Sequence, residues 1–223
     1  MENKNILTQL DIEDEIRVAS LEERPANFRS KVLSSFSLPK KTIEKGLNLE
    51  AAIVLGPVYL EETIIKGDLN LNEAIIKGSF YFGGGVLNGD LEMEETKVGG
   101  VVNLVGSKIE GRLNLKGGTI SGFLSLAKSE IKKDVNFYET KINDTYHAGL
   151  IVKGDIYLRG AVLFGDLNLG GGFIEGNLDL FNAFIRGNVN LKSTKIKGNL
   201  ILKTSRIKGT LTLGGVEYKE IIK

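Results

Sequence analysis

The chain has 223 residues, 42% of them hydrophobic and 26% charged, with a formal net charge of +1 and no cysteine. That balance supports a folded core, excludes disulfides and thiolate-held metals, and argues against bulk nucleic-acid binding. No apolar run approaches the length of a membrane-spanning helix.

The first 33 residues follow no repeat and mix Ile6, Leu10, Ile16, Leu21, Phe28 and Leu33 with acidic residues. They read as a partly helical cap (1–33), with a short helix expected over residues 25–33 because proline suits the first helical position. A cover is expected there because an open solenoid end exposes strand edges and core. Residues 1–10 lack the apolar core of a leader, so a cytoplasmic location is the expectation.

From residue 34 to 223 the chain is repetitive, regularly so from about 45 to 219. Glycine returns every eleven residues at Gly56, Gly67, Gly78, Gly89, Gly100, Gly111 and Gly122, and again from Gly154 to Gly209. A fixed short period means stacked units that bury apolar residues against their neighbours. With glycine as position 1, positions 3 and 5 are large and apolar (Leu69 and Leu71, Leu113 and Leu115). Position 8 is small (Ala74, Ser129), and position 10 is branched or apolar (Ile76, Ile120). Spacing of two is strand alternation. Each unit thus contributes two short walls, and four walls close a coil of about 22 residues. The pairs Asn48/Asn70, Tyr59/Tyr81, Asn114/Asn136 and Asn168/Asn190 support that closure, because like residues 22 apart stack on neighbouring rungs. The reading predicts an all-β, single-stranded quadrilateral β-helix of about eight coils. The glycine itself is expected to serve a backbone angle or a close approach. Between Lys133 and Gly154 the unit is one residue short, and its core slots read as Tyr146, Ala148, Leu150 and Val152.

The small-then-bulky pairs Ala74/Ile76, Ser129/Ile131, Ala183/Ile185 and Thr194/Ile196 resemble those of the pentapeptide-repeat proteins. The resemblance implies a square, right-handed β-helix. It covers about four-fifths of the chain as an architecture but only every second wall as a motif, because position 3 carries Leu or Val where that family prefers Ala. Bactofilins, with their shorter triangular coils, are a weaker likeness. Some pentapeptide-repeat proteins mimic DNA and bind type II topoisomerases; that role needs a strongly negative surface, which this composition lacks.

Several clusters are candidates for function. Tyr59 and Tyr81 with the asparagine ladder offer stacking and hydrogen bonds to a glycan. Asp90, Glu92, Glu94 and Glu95 gather carboxylates, but no inserted loop builds a groove around them, so they read as solvated charge. His147 is the only histidine and lacks oriented partners. Gly83–Gly85 and Gly170–Gly172 precede no helix and therefore form no phosphate loop. Position 9 points outward yet is apolar at Ile53, Ile64, Ile75 and Val86, where the cap is expected to fold over. It is apolar again at Ile151, Val162, Phe173 and Phe184, with Phe164 at a neighbouring corner, which marks a candidate protein interface. Arg186, Lys192, Lys195, Lys197, Lys203, Arg206 and Lys208 form a basic belt suited to a polyanion or an acidic partner. No catalytic, cofactor or metal residue is singled out. The expectation is a non-catalytic scaffold, homodimeric through its carboxyl-terminal end or an apolar wall, with a DNA-mimic and a glycan-binding module as the alternatives.

Overall fold

The computed structural model describes residues 6–146 and 149–223. Most eleven-residue units make two two-residue strands separated by corners, while Thr119–Ser125 and Lys141–Tyr146 run on around one, and strands stack in parallel on those one turn away. Partners lie 22 residues apart, as in Leu69↔Leu91, Ile75↔Lys97, Phe80↔Val102 and Val86↔Lys108. These four pairs stand for four walls, numbered here in the order the chain visits them. Wall one carries Leu69–Asn70, wall two Ile75–Ile76, wall three Phe80–Tyr81 and wall four Val86–Leu87. Residues eleven apart occupy equivalent places on opposite walls. The fold is a β-solenoid of about ten turns.

The interior follows from the alternation. In the turn from Gly67 to Asn88, Leu69, Leu71, Ala74, Ile76, Phe80, Phe82 and Leu87 are buried, and the core continues as one cluster from Ile12 to Leu200. Backbone hydrogen bonds run along the axis, as in Leu69 N–H to Asp90 O (3.0 Å) and Leu71 N–H to Glu92 O (2.7 Å). In the inner coils the polar backbone groups of a strand are therefore engaged by the coils on either side.

The two corner types have different physics. After position 5, the position 8 N–H returns to the position 5 carbonyl, as in Ala74 to Leu71 (2.9 Å). The residue at position 7 is left-handed: Ala51, Glu62 and Glu73 have φ of 55–59°, and Gly84, Gly106 and Gly117 have φ of 67°. Where position 8 is threonine, its hydroxyl reaches the position 5 carbonyl one coil back, as Thr96 Oγ1 does to Leu71 O (2.7 Å). The corner with the repeating glycine is not left-handed. Its reason is close approach: a Cβ on Gly111 would fall inside contact distance of Asp90 Oδ1 and of Gly89 O on the coil before.

Three expectations change. The helix is Gln9–Leu21, while residues 25–33 are solenoid, with Ala26–Asn27 stacking on Leu47–Asn48 and Val32–Leu33 on Ile53–Val54. The stack is correspondingly longer, since Ile221–Ile222 still pairs with Leu200–Ile201. The missing residue lies at the corner between walls two and three, where the register shifts between Ile120↔Ile142 and Phe123↔Asp144. As a result Thr145, not Tyr146, stacks under Leu124, and it is buried with its hydroxyl on Asp166 O (2.6 Å). The readings of Ala148 and His147 fall outside the described residues.

The helix closes the amino-terminal end of the tube. Thr8 caps it in a reciprocal box with Asp11, and Ile12 and Ala19 reach the core. It packs against Ala26–Asn27 and Phe36–Ser37. Glu15 accepts the Asn27 N–H (2.9 Å) and pairs with Arg24 (2.5 Å), so a carboxylate satisfies a donor at the edge of the first coil.

Candidate interaction surfaces

Outward residues are organised by what they do for the backbone. Position 2 is usually Asp, Asn or Ser, and its side chain accepts the N–H of its counterpart on the next coil. Asp68 takes Asp90 N–H (2.8 Å), Ser79 takes Val101 N–H (3.0 Å) and Asp166 takes Asn188 N–H (2.6 Å). Position 4 is often Asn, whose oxygen accepts the N–H two residues on, as Asn114 does from Lys116 (3.2 Å). The asparagine ladder is real: Asn136 Nδ2 donates to Asn114 Oδ1, and Asn190 Nδ2 to Asn168 Oδ1, both at 3.1 Å.

Three carboxylates of the acidic group, Asp90, Glu92 and Glu94, are paired in place. Arg112 meets Glu92 at 2.6 Å and Asp90 at 3.4 Å, and Lys116 meets Glu94 at 2.6 Å. Further along the same wall the Tyr157 hydroxyl donates to Asp155 Oδ2 (2.7 Å), and that bond, with burial second, pushes the phenol up to about 12. Among the described residues no group of His, Asp and Glu is placed to hold a metal ion.

The proposed apolar interface divides. Ile151 and Phe173 are partners on wall four, whereas Val162 and Phe184 are partners on wall two, with Phe164 at the far corner of wall two. A half-turn separates successive units, so these residues form two two-membered columns on opposite sides. The Phe173 ring is flanked by Lys153 and Lys197 ammonium groups at 5.3 and 5.4 Å from its centroid. The earlier block divides in the same way, Ile53 and Ile75 on wall two and Ile64 and Val86 on wall four. The helix makes its main contacts with Ala26–Asn27 and Phe36–Ser37 at the end of the tube, and Val32 stacks on Ile53.

The seven basic residues lie on corners and walls around the carboxyl-terminal coils, as a belt. Two are already paired, Lys195 with Glu217 (2.9 Å) and Lys197 with Glu175 (2.7 Å). Tyr59 and Tyr81 stack on wall three with centroids 5.2 Å apart and planes 6° from parallel. Their column continues to Ser37 on one side and Asn103 on the other.

One surface escaped the sequence reading. From Ser35 to Ser125, positions 2 and 4 of wall three are Ser35/Ser37, Pro57/Tyr59, Ser79/Tyr81, Val101/Asn103 and Phe123/Ser125, without a charge among them. Wall one, directly opposite, carries Asp68, Asp90, Glu92, Asp134, Asp155 and Asp179 in the same positions. Glu61 stands only at the corner of the uncharged strip. Phe123, which stacks on Val101, is 46% exposed, and Val105, at position 6 across the wall on the coil before, 37%. Pro57, Val101 and Phe123 occupy position 2, where most other units place a backbone-capping polar group. Sorting the outward residues by 22 rather than by eleven would have exposed the strip.

No protein-family model matches the chain, and no curated protein matches it.

Proposed function

We propose that the protein is a non-catalytic scaffold that self-associates through a wall of its β-solenoid, in the manner of a divergent pentapeptide-repeat-like protein. The observation that carries this reading is the replacement of capping polar residues by Pro57, Val101 and Phe123 on one exposed wall. A repeat that gives up backbone capping for exposed apolar surface gains nothing for its own fold, and such departures from the local rule concentrate where a protein makes contacts. Ladders of hydrogen bonds hold the outward side chains at a fixed rung spacing, which suits a rigid contact surface with little ordering cost on association.

Light scattering across a concentration series tests the proposal, with glutamate introduced wall by wall as Val162→Glu (wall two), Val105→Glu (wall three) and Ile151→Glu (wall four). A concentration-dependent mass that falls for at least one wall is expected. A monomer at every concentration, in the parent and in all variants, would overturn it.

A further inference from the structure

We infer that the last three rungs of wall two form a docking site for a short acidic polypeptide segment carrying an apolar anchor. The site goes beyond self-association and does not need it.

The columns of the wall define the face. Val162 stacks on Phe184 and Phe184 on Arg206 at position 9, and Phe164, Arg186 and Lys208 follow one another at position 11. With Gly160, Asn182 and Thr204 at position 7, these nine outward residues hold three cations, three apolar side chains and no carboxylate. Phe164 is 48% exposed.

Elsewhere the solenoid sets a cation against a carboxylate on the next coil. Lys66 meets Glu44 at 2.7 Å, Lys116 meets Glu94 at 2.6 Å and Lys197 meets Glu175 at 2.7 Å. On wall two Lys208 follows Arg186 instead, cation on cation. Among the described residues neither of them, nor Arg206, has an ion-pair partner. Like charges on neighbouring strands work against the fold, and an incoming anion removes that repulsion. Two of the three cations are arginines, whose planar forks match a carboxylate.

Charge also limits the size of the occupant. The corner between walls one and two carries Glu73, Glu95 and Glu139 on the coils before, and Asp166 stands at the next corner beyond Phe164. A nucleic-acid duplex or an anionic bilayer extends over many rungs and would meet those carboxylates. Its phosphates would also lie over Val162, Phe164 and Phe184. A short segment with its apolar residue on the Val162–Phe164 rung places its own carboxylates at the far end, among the cations.

Spacing sets the form of that segment. Rungs recur roughly every 4.8 Å, so the Val162–Phe164 rung lies about 5–10 Å from the three cations. An extended chain rises about 3.3 Å per residue, so the apolar residue and the carboxylate stand two or three positions apart. Arginine clusters are a general means of holding acidic motifs, and the hydrogen-bonded stack presents this one with little ordering cost.

The test uses the full chain and a fluorescein-labelled peptide, Leu-Ser-Glu-Ser-Glu-Glu, followed by fluorescence anisotropy. The peptide should bind, more weakly as salt rises, and its glutamine counterpart should not. Arg186→Glu should weaken binding about tenfold, and Phe164→Ser should weaken it too. Lys108→Glu, the same change of charge on wall four, should leave it unaltered. All three side chains are exposed, so the melting temperature should hold in each variant. No binding of the peptide, or binding indifferent to Arg186→Glu, would overturn the site. So would tighter binding to a labelled oligothymidine, or to vesicles of equal parts phosphatidylserine and phosphatidylcholine. A monomer in light scattering would overturn self-association and leave this site standing.

Discussion

Ala51, Glu62, Glu73 and Lys128 all hold φ between 55° and 59° at position 7, a region where a Cβ crowds the following carbonyl. Glycine already stands in that slot at Gly84, Gly106, Gly117, Gly160, Gly171 and Gly215, each with φ of 67–69°. Ala51→Gly should therefore stabilise the protein by about 0.5–1 kcal/mol, the relief of strain exceeding the extra chain entropy of glycine in the unfolded state. Thermal melts followed by circular dichroism would show it. Position 1 behaves in the opposite way. Gly111→Ala forces a methyl against Gly89 O and the Asp90 carboxylate and should cost about 1–3 kcal/mol. Both glycine series were visible in the sequence. Only one was recognised, because the period of eleven is the same for each and nothing local tells a left-handed corner from a crowded one.

At the scale of the element, the strands have almost no identity of their own. Two residues make a strand, so stability comes from the stack. Leu115 is 1% exposed, between Met93 and Phe137 in the same slot of adjacent coils, and Leu115→Ala should cost about 2–5 kcal/mol in denaturant melts. The cap is a different kind of element and has its own pH dependence. The Arg24 guanidinium holds the Glu15 carboxyl below its ordinary 4.5, outweighing burial, with the Asn27 N–H helping. A carboxyl lowered in the folded state stabilises fully above its unfolded value and loses that contribution as pH falls through the folded one. Hydrogen exchange in Gln9–Leu21 should accordingly speed up below about pH 4.5 relative to the central coils, and Glu15→Gln should reduce that difference, leaving the part due to Asp11, whose carboxyl the Thr8 hydrogen bonds also lower. The helix had its signals in the sequence: Thr8 and Asp11 as a cap, and Ile12, Ile16 and Ala19 at helical spacing. Proline at 25 drew the expectation downstream, where Ala26, Phe28 and Leu33 instead continue the core positions of the repeat.

Over the whole molecule, one structural unit is half a turn, and this has a consequence that can be engineered. Removing residues 89–99 deletes one unit and keeps every core position in phase. It also rotates everything downstream by half a turn, leaving Tyr59 and Tyr81 on one wall and sending Val101, Val105 and Phe123 to the opposite one. Removing residues 154–175 deletes a full turn, twice as much chain, and leaves the strip whole. Both variants should fold, with strand-type circular dichroism and cooperative melts. Light scattering should find the shorter deletion monomeric and the longer one still associating. The reverse result would contradict a contact through that strip.

What the sequence settled alone was the inside of the regular repeat: which of its residues point to the core, that the chain coils, and how many residues make a turn. Inward and outward alternate within a strand, so that information is local and survives in any stretch of eleven residues. What needed the tertiary structure was the outside. Phe173 and Phe184 are one repeat apart and look like neighbours, yet a four-sided tube sets them on opposite walls. Tyr81 and Asn103 are two repeats apart and share a wall, joined by the hydrogen bonds between coils. Contact on this surface runs along the axis, 22 residues at a step, and only the closure of the coil decides which of the repeating residues meet.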